Sequence, residues 1–444
     1  MIDPATIGLF AAIAVLVLLA LRVPIAFALA ATATIGTFLV FATRTGDFTP
    51  DRAIRPTASL VFSNSFDLIH SYDLSMIPLF VALGHVAYRA GITTRIYDAA
   101  KVWLARLPGG VAMASVVGCG GFSAITGSSV ACASTMGRIC VPEMLRLGYD
   151  NRLATSAVAA GGTLGSLIPP SVLFIVYGIF TETSINRLFL AGVLPGLLTL
   201  AGFLLVIAVW VRVSPAIAPV AEAEGSRGRA ALGAWPALLL FVLIVGGIYG
   251  GIFTATEAAA ISLSATMLIG FAQRTLTLRG LWESLKETAV QTSAIFLIAA
   301  GAKIFVAFVA LTGVATAAVD FVTAIEPSAW LLLTLIALVY LVLGMFLDPI
   351  GIMVLTLPLT VPLVESYGMD LIWFGVVVIK LLEIGLITPP VGLNVFVIAG
   401  VVGREAPIDR IFAGIARFLT VDVLVLVLII TVPAISLILP GTMR

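Results

Sequence analysis

The chain has 444 residues, of which 61% are hydrophobic and only 11% are charged, and its formal net charge at pH 7 is +1. About a quarter of the residues in a typical soluble domain are charged, so this composition excludes a soluble fold. The near-zero net charge gives no sign of nucleic-acid binding. The apolar runs are long and do not alternate with polar residues, which favours membrane-spanning helices over a membrane β-barrel.

Ten full membrane spans are predicted from the apolar runs. In chain order they lie near residues 5–21, 24–42, 74–91, 152–180, 190–211, 235–252, 256–273, 288–312, 371–402 and 418–440. Each run approaches or exceeds the roughly 20 residues that cross the hydrocarbon core as a helix. Two further apolar stretches, 109–137 and 328–364, are interrupted by glycine, proline or polar residues and are not simple spans.

Basic residues are concentrated in alternate loops, which predicts the orientation of the chain. The loops near 89–106, 138–152, 212–229, 274–286 and 404–417 hold most of them, whereas 313–330 and 365–370 carry only acidic charges. By the positive-inside rule the basic loops are cytoplasmic, and both termini are then periplasmic. The stretches 109–137 and 328–364 each begin and end on one face, so they are predicted to be re-entrant hairpins that enter from opposite faces.

The chain also contains an internal repeat. An offset of 220 residues aligns Gly165 with Gly385 and the pair Pro169-Pro170 with Pro389-Pro390. A cytoplasmic linker, 214–233, is predicted to join a first half, 1–213, to a second half, 234–444. Each half is predicted to hold a hairpin and a helix broken at Gly-x-x-x-Pro-Pro, namely 109–137 with 152–180 and 328–364 with 371–402. Because the predicted orientations are opposite, the repeats are inverted, as in many secondary transporters.

The candidate site is formed by the two hairpin tips, 120–129 and 344–349, and the two breaks, 161–171 and 385–394. Proline opens a helix, and unwound backbone inside a membrane must line a cavity or meet a ligand. Free carbonyl groups suit a cation such as Na⁺, and the N-termini of half-helices suit an anion. We therefore expect one cation site per half, with the substrate between the halves. The alternative is that small residues and prolines only permit close packing and kinks.

Three groups of charged residues inside apolar segments have open roles. Asp348 aligns with Ser128 and could ligate a cation or carry a proton, or it could cap the second hairpin arm with Pro349 at the first helical position. Both roles can hold together. Lys380 and Glu383 stand three residues apart, which favours a structural pair. Lys303 could attract an anion or pair with an acid on a neighbouring helix.

An enzyme is the main alternative class of function. Ser128 or Ser129 could be the nucleophile of an intramembrane hydrolase, but such a residue needs a base. The only histidines, His70 and His85, are predicted to lie away from the first hairpin. We therefore expect no enzymatic activity. A channel would not explain two inverted hairpins, each paired with a broken helix.

Several motifs resemble the large, DctM-like membrane subunit of tripartite ATP-independent periplasmic (TRAP) transporters. The matching segments are IPLF at 77–80, TGSSVA at 126–131, AGGTLGSLIPPS at 160–171, LFLAGVLPG at 188–196 and GLITPPVGLN at 385–394. The resemblance implies an all-α, elevator-type carrier of the bacterial inner membrane, driven by Na⁺. It also implies a small four-helix membrane subunit, expected as a separate chain, and a periplasmic substrate-binding protein.

The resemblance further implies the substrates and the site residues. The substrates are organic acids such as C4-dicarboxylates, sialic acids and related sugar or keto acids, and two or more Na⁺ ions accompany them.

Segment 56–72 is expected to be an interfacial segment before the first carrier helix. The runner-up function is a stand-alone Na⁺- or H⁺-coupled anion symporter of a related elevator fold. The cation ligands are expected among Gly127, Ser128, Ser129, Gly165 and Pro169 in the first half and Asp348, Gly385, Thr388 and Pro389 in the second, and the substrate contacts among Thr126, Ser128, Pro170, Ser171 and Asn394.

Overall fold

The computed structural model describes residues 3–44, 48–219, 226–403 and 407–443. Within these ranges all regular structure is helical, as the membrane requires of a chain without a closed barrel. The chain is thus an all-α polytopic membrane protein with two re-entrant hairpins and two broken helices in inverted repeats. Residues 220–225 of the predicted linker and Arg404 of the last basic loop lie outside the described residues.

In the described part of the chain, five α-helices precede the first hairpin. The helices are α1 (Pro4–Ala20), α2 (Ile25–Thr43), α3 (Pro50–Ile69), α4 (Met76–Arg89) and α5 (Ile92–Leu104). Helix α3 begins before the predicted segment 56–72, and it is bent by 54° against the segment that follows, Tyr72–Arg89. Helix α5 was predicted as a loop. It forms because Ile92, Ile96 and Val102 recur at helical spacing on a buried face, while Arg95 and Lys101 occupy more exposed positions.

The first hairpin and the first broken helix follow. The helices are α6 (Gly110–Thr126), α7 (Ser129–Arg146), α8 (Asn151–Gly162), α9 (Leu164–Leu167), α10 (Val172–Thr181) and α11 (Ile185–Val213). The hairpin turns at Gly127, whose φ of +63° favours glycine. Its second arm runs nine residues past the predicted end at 137.

The middle of the chain differs most from the predicted spans. It holds α12 (Arg227–Gly233), α13 (Trp235–Phe241), α14 (Gly247–Tyr249), α15 (Ala255–Ala272), α16 (Leu278–Thr312) and α17 (Val314–Ile325). A π-helical turn, Val242–Gly246, separates α13 from α14 inside the predicted span 235–252. The segment 313–330, predicted as a loop, contains α17. Helix α16 begins at Leu278 instead of 288 because polar residues continue the helix beyond the apolar run.

The second hairpin and second broken helix close the chain. The helices are α18 (Ala329–Gly344), α19 (Pro349–Ser366), α20 (Leu371–Gly385), α21 (Leu393–Val402), α22 (Ile408–Thr431) and α23 (Ala434–Gly441). The predicted span 418–440 is wrong in its bounds, since α22 begins at Ile408 and ends before Pro433. Among the described residues, seven helices are long and apolar enough to cross a membrane, or nine if each of two bent pairs is one span.

The helices pack in two groups. Helix α16 packs along α2 and also contacts α1, α3 and α4, while α4 packs against α15. The other group contains the hairpins and broken helices: α6 and α7 pack on α8, α18 packs on α20, and α22 packs against α8. Helix α7 of the first hairpin also packs on α21 of the second half. The two halves therefore pack on each other around the breaks.

Glycine lets each hairpin approach its broken helix at backbone distance. A Cβ atom on Gly385 would lie 2.7 Å from the Cα atom of Gly344 at the end of α18. A Cβ atom on Gly165 would lie 2.7 Å from the carbonyl carbon of Ser128. Both contacts are with backbone, which cannot rotate away, so a larger residue at either position must push the hairpin off the break.

We expect Gly385→Ala to lower the melting temperature of the detergent-solubilised protein, since overpacking costs about 1–3 kcal/mol. Gly400→Ala in α21 is the matched control, because a Cβ atom there meets nothing within 4 Å. The control is expected to be neutral or slightly stabilising, as alanine favours a helix over glycine. Equal melting temperatures for the two variants would contradict the predicted close approach.

Candidate functional site

A cavity of about 250 Å³ brings the two hairpin tips together. The first tip contributes Ser128 and Ser129, the second contributes Asp348, the first break contributes Ser166, and α16 contributes Gln291. Apolar residues of α7, α10, α16 and α19 and of the second break complete the wall. The cavity therefore joins polar groups from both halves on the side that faces α16.

Ser128 and Asp348 hold equivalent places in the two halves. Each is the N-cap of its second hairpin arm: the Ser128 hydroxyl accepts the Ala131 amide at 3.4 Å, and an Asp348 carboxylate oxygen accepts the Gly351 amide at 3.0 Å. Pro349 follows at the first helical position. The predicted capping role of Asp348 is thus present, and the same residue also lines the cavity.

The first hairpin tip and the first break are joined by backbone. The Val172 amide donates to the Gly127 carbonyl at 3.1 Å, and a Cβ atom on Gly127 would lie 2.5 Å from the Pro170 carbonyl oxygen. The Ser171 hydroxyl accepts the Phe174 amide at 3.3 Å and so caps α10. These bonds satisfy part of the backbone that the break unwinds.

The second break is built differently. Pro389 and Pro390 are exposed, whereas Pro169 and Pro170 are buried. The Thr388 hydroxyl donates to the Ile384 carbonyl at 2.6 Å, which continues the last turn of α20. The Asn394 side chain is fully buried, and both of its polar atoms lack a hydrogen-bond partner among the described residues. Such an amide suits a ligand or a water.

The structure brings some of the predicted site residues to the cavity and leaves others outside it. Gly127, Ser128, Ser129 and Asp348 line it. Thr126 lies beside an adjoining cavity of about 60 Å³, which Ser128 also lines. The remaining predicted residues lie in the breaks but do not line the main cavity: Gly165, Pro169, Pro170, Ser171, Gly385, Thr388, Pro389 and Asn394. The roles assigned to all of these residues stay predictions.

The predicted pairing of Lys380 with Glu383 is wrong. Lys380 forms an ion pair with Asp422 of α22 at 2.5 Å and a hydrogen bond with Thr199 of α11 at 3.0 Å. Glu383 instead accepts the Ser129 hydroxyl at 2.6 Å. The two side chains, three residues apart on α20, reach different neighbours. The sequence signal for Asp422 was an acid inside the apolar run 418–440, where a charge is rarely tolerated without a partner.

His85 lies closer to the first hairpin than predicted. It lines the small cavity with Thr126 and Ser128. Its ring nitrogens contact Gln291 at 3.1 Å and Glu287 at 3.2 Å. Neither nitrogen is bonded to a serine of the hairpin tip, so His85 is not placed as a base for Ser128 or Ser129 in this structure.

Lys303 lines a second, larger cavity of about 750 Å³. It forms no ion pair within the described ranges. The acids Asp73 and Glu182 and several hydroxyl groups share the wall of this cavity. Pairing of Lys303 with an acid on a neighbouring helix is therefore not seen in this structure.

We expect Lys380→Met to destabilise the protein by about 3–5 kcal/mol, because it leaves the Asp422 carboxylate buried without a partner. The double variant Lys380→Met/Asp422→Leu is expected to recover most of that loss, since no charge then remains. Arg279→Ala is the control, because the Arg279–Glu283 ion pair is exposed and such pairs contribute about 1 kcal/mol at most. The free energy of unfolding in detergent is measured for the three variants. A double variant that is no more stable than Lys380→Met would contradict the pairing of Lys380 with Asp422.

Comparison with known proteins agrees with this architecture. The chain is 34% identical over 398 residues to the C4-dicarboxylate TRAP transporter large permease protein DctM of Pseudomonas aeruginosa, covering 89% of this chain and 91% of that protein. It is 33% identical over 374 residues to the sialic acid TRAP transporter large permease protein SiaM of Vibrio cholerae, covering 84% and 87%.

A solved structure shares the fold. The YdaH transporter of Alcanivorax borkumensis, whose crystal structure shows an unusual topology, superposes with a TM-score of 0.60 at 15% identity, over 88% of each chain. Residues 12–435 match the family described as the DctM component of tripartite ATP-independent periplasmic transporters. Since that match spans nearly the whole chain, this multi-pass inner-membrane protein belongs to the DctM family, the large permease component of TRAP transporters.

Proposed function

We propose that this permease takes up an organic acid anion together with Na⁺, and that the anion binds in the cavity between the hairpin tips. The observation that carries the proposal is the joint lining of one cavity by Ser128 and Ser129 of the first tip and Asp348 of the second. Polar residues from two repeats meet there inside an otherwise apolar wall. This is where broken-helix transporters bind their substrates.

The chemistry of the cavity suits an anion that arrives with cations. Helices α7 and α19 begin at the hairpin tips. The free amides and the positive dipole end at each N-terminus attract negative charge. Hydroxyl and amide groups from Ser129, Ser166 and Gln291 can bond a carboxylate. The carboxylate of Asp348 repels an anion until a cation neutralises it. Named relatives carry a C4-dicarboxylate or a sialic acid, which supports an organic acid as the substrate class.

The proposed cation sites lie where each tip meets its break. The first would use Gly127, Ser128 and Ser129 with Gly165 and Pro169, and the second Asp348 with Gly385, Thr388 and Pro389. The backbone contacts of Gly165 with Ser128 and of Gly385 with Gly344 support this assignment, since they bring carbonyl groups of two segments together.

The proposed cycle is of the elevator type. The group of helices that holds hairpins and breaks moves against α2 and α16, and it carries the cavity from one face of the membrane to the other. Each charge that crosses is worth about 2.3 kcal/mol per 100 mV. A dianion with two Na⁺ ions is electroneutral, so uptake driven by voltage needs a third cation or a monoanion.

The proposed partners are a small four-helix membrane subunit and a periplasmic substrate-binding protein that delivers the anion. Both termini lie on the periplasmic side in this proposal. Helix α3 exposes a row of large apolar side chains, with Phe62 at 78%, Phe66 at 58% and Ile69 at 78%. This surface suits lipid or the small membrane subunit.

We expect Asp348→Asn to lower Na⁺-dependent uptake at least about tenfold at limiting Na⁺, because a lost charge contact costs about 1.5–3 kcal/mol. Ser128→Ala is expected to have a smaller effect in the same direction. Glu365→Gln is the matched control, an exposed acid at the far end of the same helix. Uptake by proteoliposomes over a Na⁺ series is the measurement, and wild-type Na⁺ dependence in Asp348→Asn would remove that residue from the site.

We also expect no uptake by this chain alone. Proteoliposomes should transport only when the small membrane subunit and the loaded binding protein are both present. The control is the same vesicle with the binding protein and without the small subunit. Robust uptake by the single chain would contradict the tripartite proposal and favour a stand-alone anion symporter.

A further inference from the structure

Glu383 is a buried carboxylate that faces the first hairpin from the second half of the chain. Glu383 belongs to α20 and is 2% exposed. One carboxylate oxygen accepts the Ser129 hydroxyl at 2.6 Å, and Ser129 is in turn hydrogen-bonded to the Ser166 hydroxyl at 2.8 Å. The other oxygen, Oε2, has no hydrogen-bond partner among the described residues.

The charge of Glu383 is not balanced by its neighbours. Two charged groups interact electrostatically with Glu383. Lys380 lies one turn earlier on α20, and Asp422 lies on α22. Lys380 and Asp422 are each 1% exposed and form an ion pair with one another. The groups that face Glu383 from α7 and α9 are neutral hydroxyls. This cluster therefore holds two acids and one base, and an uncompensated charge in an apolar interior is costly.

Glu383 lies next to the first hairpin tip, in a part of the first half that contains no acidic residue. The first hairpin tip, 120–129, and the first break, 161–171, contain no acidic residue, and Ser128 occupies the position that Asp348 holds in the second tip. The counterpart of Glu383 in the repeat is Thr163. Ser129 and Ser166, the hydroxyls bonded to each other next to Glu383, both line the main cavity.

We propose that Glu383 supplies the carboxylate of the first cation site, so that the second half completes the site of the first. Oε2 is the direct ligand. Oε1 accepts the hydrogen of Ser129, so Ser166 donates to the Ser129 oxygen, and one lone pair of that oxygen remains to coordinate the same ion. Oxygen donors of this kind suit a hard monovalent cation, and an intramembrane acid commonly marks an ion pathway. The inference rests on the proposed coupling to Na⁺.

The decisive variant is Glu383→Gln, which keeps the shape and the bond to Ser129 but removes the charge. We expect the half-saturating Na⁺ concentration for uptake to rise at least about tenfold, which is about 1.4 kcal/mol. The half-saturating substrate concentration at saturating Na⁺ should change little. The Hill coefficient for Na⁺ should fall. Glu365→Gln is the matched control on an exposed acid.

A second readout does not depend on transport. The melting temperature in NaCl is compared with that in choline chloride, and the rise caused by Na⁺ should shrink in Glu383→Gln. Glu383→Asp keeps the charge but withdraws it by one methylene, so its half-saturating Na⁺ concentration should also rise. A wild-type response to Na⁺ in either Glu383 variant overturns the inference.

The two proposals fail in different ways. If the wild-type protein shows no Na⁺ dependence in uptake or in melting temperature, the proposed coupling fails and the assignment of Glu383 fails with it. If the wild type responds to Na⁺ and Asp348→Asn weakens that response while Glu383→Gln leaves it unchanged, only the assignment of Glu383 is overturned.

Discussion

The need to satisfy unwound backbone inside a membrane governs this structure. Each broken helix exposes amides and carbonyls that lipid cannot bond. In the first half a hairpin tip meets this need directly, since the Gly127 carbonyl accepts the Val172 amide and Ser171 caps the helix that resumes. A hairpin tip can reach backbone only if side chains are absent, which is why glycine stands at 165 and at 385. The two tips border one cavity together with α16.

The two halves use one design with different charges. Ser128 and Asp348 cap equivalent helices, yet one is neutral and the other is an acid. The Pro-Pro pair of the first break is buried and that of the second break is exposed. Helix α20 connects the halves: Lys380 reaches α11 and α22, and Glu383 reaches the first hairpin. A buried ion pair adds little net stability but is costly to break, so it favours one arrangement of these helices over others.

Hydropathy and glycine–proline patterns predicted the helical fold, both hairpins and both breaks, since these features follow from local chemistry. Helices α5 and α17 were missed because their apolar residues are too few for a span, although the spacing in α5 is helical. The tips were predicted as site elements, but partners from distant segments were not. The pairing of Lys380 with Asp422 instead of Glu383, and the approach of His85 to Thr126, depend on how helices rotate against one another. No local pattern encodes that rotation.

The charges around the cavity also give a physical reason for coupling under the proposed function. Asp348 lines the cavity. Glu383 does not, but it is hydrogen-bonded to Ser129, which does. An anion that enters while both acids are ionised meets repulsion at short range in a medium of low dielectric constant. Under the proposed function, cations at the two acids neutralise them and remove that repulsion, so the cations bind before the anion or with it. The positive N-termini of α7 and α19 then act on the anion without opposition. Under the proposed coupling, cation binding and anion binding are thermodynamically linked, and each raises the affinity for the other by the same factor.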